Sequence, residues 1–361
     1  MGQRLQAVVD RTRLATGIPG LSVAVRFPDG TSWDGVSGLA DVARGIPVTA
    51  QTPFALASIS KTFVAAIVMS LIEERRLYLG DSVARLLPGV QLGSRSIDPR
   101  ITVRQLLDHT SGLRDFLTTG AIDRAVVAAP TAVWSVGRSL SYVGPPLAEP
   151  GVRFYYSNTN FVLLGLIVER VTGHPIAAEI RDRLLDPLGL TTATYQSVEP
   201  PASTPALAYR FASNALTSPP IDVTDGTAVR PFTAITTAAG AAGSMMASAH
   251  DTARWMEALL TGRVVDPATV ARMESDASRT TAIDPAFAYG LGLQAYGVDG
   301  HPSFGHSGRL IGQRTLVRYF PEAGLTVAVL TDQSRTDPAV VLRALLAVLL
   351  PSNADAGLRA S

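Results

Sequence analysis

The chain has 361 residues, of which 47% are hydrophobic and 17% charged, and its formal net charge at pH 7 is +1. This composition excludes a disordered chain, and the near-neutral charge without a basic stripe argues against a nucleic-acid partner. The absence of cysteine excludes disulfides, thiolate metal ligands and a cysteine nucleophile.

The N-terminal part of the chain predicts an amphipathic helix followed by a β-hairpin around a Pro-Asp-Gly turn. Ser58 to Arg76 then predicts a helix whose centre is apolar on every side, and such a helix is buried. From about Gly80 to Ala286 the periodicity is mostly helical. Within that region, Glu199 to Gly243 has little periodicity and predicts long loops.

Strand patterns return at Tyr289 to Tyr296 and in the strings QRTLVRYF and LTVAVLTD, before a last helix from Pro338 to Leu350. Both chain ends therefore supply strands. The predicted fold class is α/β (α+β), with an antiparallel sheet from both chain ends, flanking helices and an inserted, mainly helical domain. The predicted boundaries are 1–80 and 287–350 for the sheet domain, 81–286 for the helical domain and 351–361 for a tail.

Ser58 and Lys61 form a Ser-x-x-Lys motif at the predicted start of the buried helix. This spacing places a hydroxyl and an amine on one helix face, where the helix dipole favours a developing alkoxide. Lys61 is the single lysine among 31 basic residues, and lysine, unlike arginine, can be neutralised by burial. For Ser58, the alternative is a helix cap. For Lys61, the alternative is a solvent-facing residue that is present by chance in a composition biased toward arginine.

Tyr156 and Asn158 lie at the start of a second helix. Tyr156 can pass a proton between Ser58 and a leaving group, and the Asn158 amide can orient Lys61 and bind a substrate carbonyl. An aromatic core residue followed by a capping asparagine is the alternative. Tyr155 lacks the asparagine two residues on and is interpreted as packing.

His306, Ser307 and Gly308 precede the string QRTLVRYF. His306 would offer a positive or hydrogen-bonding group, Ser307 a hydroxyl for a substrate carboxylate or amide, and Gly308 room for the substrate backbone beside the strand. The N–H groups of Arg309 and Ser58 would hold an oxyanion. A loop histidine followed by a turn glycine is the alternative.

In this order and spacing, the three elements resemble the family of serine β-lactamases and penicillin-binding proteins. Within it they are most similar to the class C β-lactamase and D-alanyl-D-alanine carboxypeptidase branch, with its related esterases. The strings HTSGL (His109 to Leu113) and AAGSMMASAHDTARW (Ala241 to Trp255) also look similar to that branch, and the resemblance covers nearly the whole chain. It implies a site between a sheet domain and a helical domain.

The resemblance implies a role for each matching residue: Ser58 as acylated nucleophile, Lys61 and Tyr156 as acid-base pair, Asn158 as substrate-binding residue, and His306, Ser307 and Gly308 in place of Lys-Thr-Gly. Class C β-lactamases have Lys at the first of these last positions, so we do not expect efficient β-lactam hydrolysis. Arg309 either narrows the pocket, binds a carboxylate, or is a surface arginine.

We therefore predict a cofactor-independent serine hydrolase that acts through a Ser58 acyl-enzyme on amides or esters, similar to a D-alanyl-D-alanine carboxypeptidase or an esterase. An acyltransferase with the same acyl-enzyme and a penicillin-binding protein without useful turnover are the alternatives. The expected partner is a small-molecule or peptide substrate, and the oligomeric state is left open.

Three further patterns in the sequence do not support a functional site. The string GLGLQA imitates a dinucleotide motif but lies in a predicted strand without the required helix, and GHSG lacks the last glycine of a nucleophile elbow. The five histidines lack metal-site spacing, so no metal is expected.

The apolar stretches are too short for a membrane span, and no signal peptide is recognised. We therefore expect a cytoplasmic location, or export if a signal has been removed.

Overall fold

The structure is a computed structural model that describes residues 1–283 and 288–350. The predicted tail at 351–361 and the predicted boundary at 286–287 therefore lie outside the described residues. In chain order, the described strands are β1 (Gly20–Arg26), β2 (Ser32–Asp41), β3 (Ile46–Pro47), β4 (Phe54–Ala55), β5 (Gln91–Leu92), β6 (Arg95–Ser96), β7 (Thr194–Tyr195), β8 (Tyr209–Phe211), β9 (Pro220–Asp222), β10 (Met245–Ala247), β11 (Gln294–Val298), β12 (His301–Leu310), β13 (Gln313–Phe320) and β14 (Leu325–Thr331).

The described α-helices are α1 (Gly2–Thr16), α2 (Ser60–Glu73), α3 (Val83–Leu86), α4 (Val103–Leu107), α5 (Gly120–Ala128), α6 (Val136–Leu140), α7 (Asn158–Thr172), α8 (Ile176–Ile180), α9 (Asp186–Leu188), α10 (Thr233–Ala239), α11 (Ala249–Leu260), α12 (Pro267–Ile283) and α13 (Ala339–Leu349). Short 3₁₀ turns cover Ala57–Ile59, Phe116–Thr118 and Gly240–Ala242, and a π-helical turn covers Arg181–Leu185.

Seven strands form one sheet in the order β11-β12-β13-β14-β1-β2-β3, and every pairing in it is antiparallel. The first and last parts of the chain meet at its centre, where Val23 of β1 lies opposite Val329 of β14. The predicted α/β (α+β) class, with a sheet built from both chain ends, is confirmed.

The sheet buries both of its faces, because successive side chains of its central strands alternate between two apolar clusters. On one face, Val23 and Val329 pack with α1 and α13. On the other face, Ala24 and Ala328 belong to a larger cluster that includes α2 and α11. Helix α2 is thus enclosed between the sheet and the helical part of the chain.

Helix α2 is buried along most of its length, as its apolar sequence predicts. Phe63 stacks on Trp255 of α11 with ring centroids 4.0 Å apart, and the Trp255 indole N–H donates to the Thr62 hydroxyl over 2.8 Å. These contacts fix the first turn of α2, where Lys61 lies, against the body of the protein.

Two predictions about secondary structure were wrong in part. The strand predicted over Tyr289 to Tyr296 begins only at Gln294, and strand β12 was not predicted. Its sequence, HPSFGHSGRL, has a proline and two glycines and therefore low strand propensity. Pairing with β11 and β13 supplies the strand geometry that local preference does not. Within the region predicted as loops, β8, β9 and the buried helix α10 are present.

Within residues 1–283 and 288–350, no single helix is long and apolar enough to cross a membrane. One pair of helices, Asn158–Thr172 and Ile176–Leu188, meets the length and composition criterion only jointly, with a bend of 84° between them. No group of three or more His, Asp or Glu side chains suited to a metal ion occurs in the same ranges.

Candidate active site

Ser58 lies in the short turn Ala57–Ile59, immediately before helix α2. Ser58 is partly exposed, whereas the residues before and after it are buried. Ala57 has a φ of 49°, a left-handed conformation that costs a non-glycine residue about 1 to 3 kcal/mol. The Thr315 hydroxyl holds this segment in place by donating to the Leu56 carbonyl over 3.0 Å. The strained turn thereby keeps the Ser58 hydroxyl accessible.

The Lys61 ammonium nitrogen is buried and has three hydrogen-bond partners. Its Nζ lies 2.9 Å from Ser58 Oγ, 2.7 Å from Asn158 Oδ1 and 2.8 Å from the Ala242 carbonyl oxygen. Burial lowers the pKa of Lys61 from 10.5 to about 7, and the nearby Asp115 carboxylate acts in the opposite direction. Near neutral pH, a substantial fraction of Lys61 is therefore a neutral amine.

The three partners of Lys61 determine where the lone pair of the neutral amine points. A neutral amine has two hydrogens and one lone pair. The amide oxygen of Asn158 and the Ala242 carbonyl can only accept, so they take both hydrogens. The Ser58 hydroxyl can donate, and the lone pair is left facing it. The geometry is that of a base next to its nucleophile.

Asp115 holds Asn158 from the side opposite Lys61. Its Oδ2 accepts from Asn158 Nδ2 over 2.8 Å, and its Oδ1 accepts from the Leu117 N–H over 2.9 Å. Burial raises the pKa of Asp115, while these donors and the Lys61 charge oppose the rise. Asn158 thus links a buried carboxylate to the buried amine.

The Tyr156 hydroxyl is buried and has no hydrogen-bond partner among the described residues. Burial raises the pKa of Tyr156 above its ordinary value of 10.0, the Asp115 charge adds to the rise, and nearby Ser58 opposes it. Tyr156 is therefore protonated at neutral pH. Lys61 Nζ lies 5.0 Å from the centre of its ring. A protonated phenol here is a candidate proton donor to a leaving group.

His306 is not on a loop but in strand β12, and it is fully buried. Its Nδ1 lies 2.6 Å from the Ser307 carbonyl and must carry a hydrogen, so its Nε2 accepts from the Tyr289 hydroxyl over 2.8 Å. Burial, helped by the Lys61 charge, lowers the pKa of His306 to about 3. The geometry favours a neutral hydrogen-bonding histidine over the positive group that was the other possibility.

Ser307 and Arg309 lie along the same edge of β12. The Ser307 N–H donates to Gln294 Oε1 over 2.9 Å, and Gln294 Nε2 donates to Ser307 Oγ over 3.1 Å. The Ser307 hydroxyl hydrogen therefore remains available to another acceptor. Because N–H groups two residues apart on a strand point to the same side, the Arg309 N–H also points away from β13. This orientation agrees with its predicted role as oxyanion donor.

Gly308 brings β12 close to the turn that carries Ser58. A Cβ atom at this position would lie 2.2 Å from the Leu56 carbonyl oxygen, 2.2 Å from Thr315 Oγ1 and 3.1 Å from the Ala57 Cβ. The side of Gly308 on which a Cβ would lie is thus filled by the protein, whereas substrate binding along the edge of the strand stays a prediction. Glycine is needed here for close packing of two backbone segments.

Two cavities adjoin these residues. One of about 500 Å³ is lined in part by Asn158, Arg309, Arg210 and Asp123. The side chains of Arg210 and Arg309 form no hydrogen bond or ion pair in the part of the chain that the structure describes. The other cavity, of about 380 Å³, has an aromatic and uncharged lining that includes Phe154, Tyr156, Tyr289, Gln294, Tyr296 and Ser307. The site is therefore flanked by a charged cavity beside Asn158 and by an uncharged, aromatic cavity beside Tyr156 and Ser307.

The structure brings the predicted residues of all three motifs into one site, and it adds three that sequence reasoning missed as site residues: Asp115, Tyr289 and the Ala242 carbonyl. Two of them had a signal in the sequence. Asp115 follows the HTSGL string by two residues, and Ala242 lies in the AAGS string. Tyr289 had no signal, because its contact with His306 depends on the pairing of distant strands.

A profile of the Beta-lactamase family matches residues 5–350. The chain belongs to the beta-lactamase family. Penicillin-binding protein 4 of Amycolatopsis lactamdurans is 31% identical over 334 residues, which cover 90% of this chain and 83% of that protein. The resemblance to serine β-lactamases and penicillin-binding proteins is confirmed.

Solved structures with this fold include an amidohydrolase and a penicillin-binding protein homologue. A D-stereospecific amidohydrolase from Streptomyces sp. is 27% identical with a TM-score of 0.80, covering 98% of this chain and 99% of that chain. A penicillin-binding protein homologue from Pyrococcus abyssi is 26% identical with a TM-score of 0.78, covering 97% of this chain and 78% of that chain. Together these similarities support a serine hydrolase that acts on amides.

Proposed function

We propose that this protein cleaves amide or ester bonds through an acyl-enzyme on Ser58. The observation that carries the proposal is the environment of Lys61. Its buried amine has a pKa of about 7 and lies 2.9 Å from Ser58 Oγ, and both its other partners can only accept hydrogen bonds. A lysine neutral near pH 7 can take the Ser58 proton as the hydroxyl attacks a carbonyl carbon.

The acylation step follows from the positions of the donors. The Ser58 oxygen bonds to the carbonyl carbon, and the N–H groups of Ser58 and Arg309 stabilise the oxyanion. When the intermediate collapses, the bond to the leaving group breaks and that group takes a proton from Tyr156. Lys61 then passes the proton that it took from Ser58 to Tyr156. Water then attacks the carbonyl carbon of the Ser58 ester and gives a proton to the Lys61 and Tyr156 pair. The bond from that carbon to Ser58 Oγ breaks, Ser58 takes the proton back, and the acid leaves. Lys61 and Tyr156 share one proton network, so we assign the acid-base role to the pair.

The proposed substrates are D-alanyl-D-alanine-like peptides, other small amides or small esters. The names of the two most informative relatives, a penicillin-binding protein and a D-stereospecific amidohydrolase, support the peptide and amide classes. The neutral His306, in the place where class C β-lactamases have lysine, is consistent with poor β-lactam turnover. Acyl transfer to an amine or alcohol, or a long-lived penicillin adduct without useful turnover, are alternative outcomes of the same acyl-enzyme.

Intact-protein mass spectrometry tests the proposal. Wild type is incubated with a penicillin and, separately, with an activated ester, alongside Ser58→Ala. Ser70→Ala, at the far end of the same helix, is the matched control. We expect an adduct or turnover in wild type and Ser70→Ala that is absent from Ser58→Ala. The adduct lifetime separates a trap from a hydrolase, and the yield with an added amine measures acyl transfer. Full activity of Ser58→Ala on any substrate would overturn the proposal.

The Arg309 side chain gives a prediction about substrate charge. It lies directly opposite Arg314 across the strand pair, where like charges repel, and the carboxylate of Asp337 lies 3.9 Å from Arg314 while Arg309 has no ion pair among the described residues. We expect Arg309→Ala to lower kcat/KM about tenfold for a substrate with a free carboxylate, since a hydrogen bond to a charged group contributes about 1.5 to 3 kcal/mol. The corresponding uncharged amide substrate should be unaffected, because the Arg309 N–H remains.

The measurement compares kcat/KM for the two substrates in wild type, Arg309→Ala and the control Arg4→Ala. Arg4 is an exposed residue of α1, which packs on the opposite face of the sheet. Equal losses with both substrates would show that Arg309 acts on the site as a whole and does not recognise the carboxylate.

A further inference from the structure

The orientation of the Asn158 amide decides whether Lys61 can act as a base. Its Oδ1 accepts from Lys61 Nζ, and its Nδ2 donates to Asp115 Oδ2. If the amide were rotated by 180°, Nδ2 would face the Lys61 amine and Oδ1 would face a carboxylate. Oδ1 and the Asp115 carboxylate would then meet acceptor against acceptor, and Nδ2 would either meet the protonated Lys61 donor against donor or bind the lone pair of the neutral amine in place of Ser58. The rotated amide would also leave Lys61 without one of its two acceptors.

Asp115 is the member of this hydrogen-bond network that cannot exchange its acceptor role for a donor role. An ionised carboxylate only accepts hydrogen bonds, and both of its oxygens already do so, from Asn158 and from the Leu117 N–H. The Leu117 bond caps the turn Phe116–Thr118 and fixes the carboxylate itself. Asp115 is buried, so water does not compete for these bonds. The polarity of the network therefore starts at Asp115 and runs through Asn158 to Lys61 and Ser58.

We infer that Asp115 is a positioning residue for the Ser58 reaction: it fixes the Asn158 amide so that Lys61, once neutral, points its lone pair at Ser58. This inference rests on the proposed acyl-enzyme function. Asp115 does not touch Ser58 or the substrate cavities, so it acts through Asn158 and Lys61. Its charge has a second, separable effect, because it raises the pKa of Lys61 against the effect of burial.

Asp115→Asn is the first test, because it keeps the shape of the side chain and removes the charge. The new amide can satisfy Leu117 only by turning its Nδ2 toward Asn158, where two donors would meet. We expect the rate constant of Ser58 acylation to fall at least about tenfold, a part of the ~10²- to 10⁴-fold that a positioned base contributes. The acid limb of the pH profile should move to lower pH, because the Asp115 charge no longer raises the Lys61 pKa.

The reciprocal exchange, Asp115→Asn with Asn158→Asp, is the decisive variant. In it the amide at 115 accepts from Leu117 and donates to the carboxylate at 158, whose other oxygen accepts from Lys61. The polarity of the network is restored, so we expect part of the acylation rate to return. Because the carboxylate now contacts Lys61 directly, it raises the Lys61 pKa, and the acid limb should move above its wild-type position. A purely structural role of Asp115 predicts neither the recovery nor the reversed shift.

Acylation by an activated ester is followed by single-turnover mass spectrometry across pH, with thermal unfolding as a check on folding. Ser135→Ala, which removes the cap of helix α6, and Asp182→Asn, which removes an exposed charge, are the controls. Wild-type acylation by a folded Asp115→Asn would overturn the inference. A folded double variant no faster than Asp115→Asn would do the same. If Asp115→Asn does not fold, an active double variant supports the inference and a folded, inactive one overturns it.

These results also separate the inference from the proposed function. Activity that disappears in Ser58→Ala but is unchanged in Asp115→Asn removes only the role of Asp115. Activity that survives in Ser58→Ala removes the acyl-enzyme itself, whatever Asp115 does.

Discussion

Replacing Lys61 with methionine is expected to lower the rate of Ser58 acylation by about 10²- to 10⁴-fold, the usual contribution of a positioned general base. Methionine is unbranched and apolar, so it suits the buried position of the lysine side chain. It leaves the Ser58 hydroxyl in place without a proton acceptor. Stopped-flow acylation with an activated ester measures the loss, and thermal unfolding shows whether the variant is folded.

The pH profile of wild type tests the same role of Lys61. Because burial lowers the Lys61 pKa to about 7, the amine is protonated below that pH and neutral above it. A protonated amine cannot accept the Ser58 proton, so acylation should fall as the pH drops below about 7 and level off above it. Lys61→Arg keeps the charge at every accessible pH and should be inactive throughout. Wild-type rates in a folded Lys61→Met would contradict the role of Lys61 as base.

Gly308→Ala is expected to lower both activity and stability, because the new methyl group has no space. Its Cβ would lie 2.2 Å from the Leu56 carbonyl oxygen, a backbone atom that cannot move independently. Strand β12 must therefore shift away from the turn that carries Ser58. Overpacking of this kind costs about 1 to 3 kcal/mol of unfolding free energy. A displacement of about 1 Å between nucleophile and oxyanion donor can cost about 10²-fold in rate.

The matched control is Gly297→Ala in the adjacent strand β11. A Cβ there would meet only the His301 carbonyl oxygen at 3.8 Å, an ordinary contact. We expect this variant to keep wild-type activity and unfolding free energy, measured by urea denaturation. If Gly308→Ala matched Gly297→Ala in both measurements, the close packing of β12 on the Ser58 turn would not matter for function.

Much of the fold was predictable because it depends on local patterns. The hairpin of β1 and β2 follows from alternating apolar residues around a turn, and the burial of α2 follows from its apolar sequence on every side. Strand β12 was not predictable in this way. Its glycines and proline have low strand propensity, and only the neighbouring strands on both sides stabilise its extended conformation.

In the candidate site, too, local contacts were predictable from the sequence and contacts between distant residues were not. Ser58 and Lys61 are three residues apart at a helix start, so their proximity is a property of the local chain. Asn158 lies 97 positions from Lys61, and its contact depends on the packing of α7 against α2. No sequence pattern predicts that Asp115 contacts Asn158, although the HTSGL string lies two residues before Asp115.

By itself, the sequence predicted the nucleophile, showed the single lysine beside it and indicated the family, because these depend on residue identity and short spacing. Only the tertiary structure decided the protonation of the site. The lowered pKa of Lys61, the neutral state of His306 and the raised pKa of Tyr156 all have burial as their main cause, and the surroundings that bury them come from distant parts of the chain. Spacing along the sequence predicts which groups lie near each other, but the desolvation of these groups depends on the complete fold.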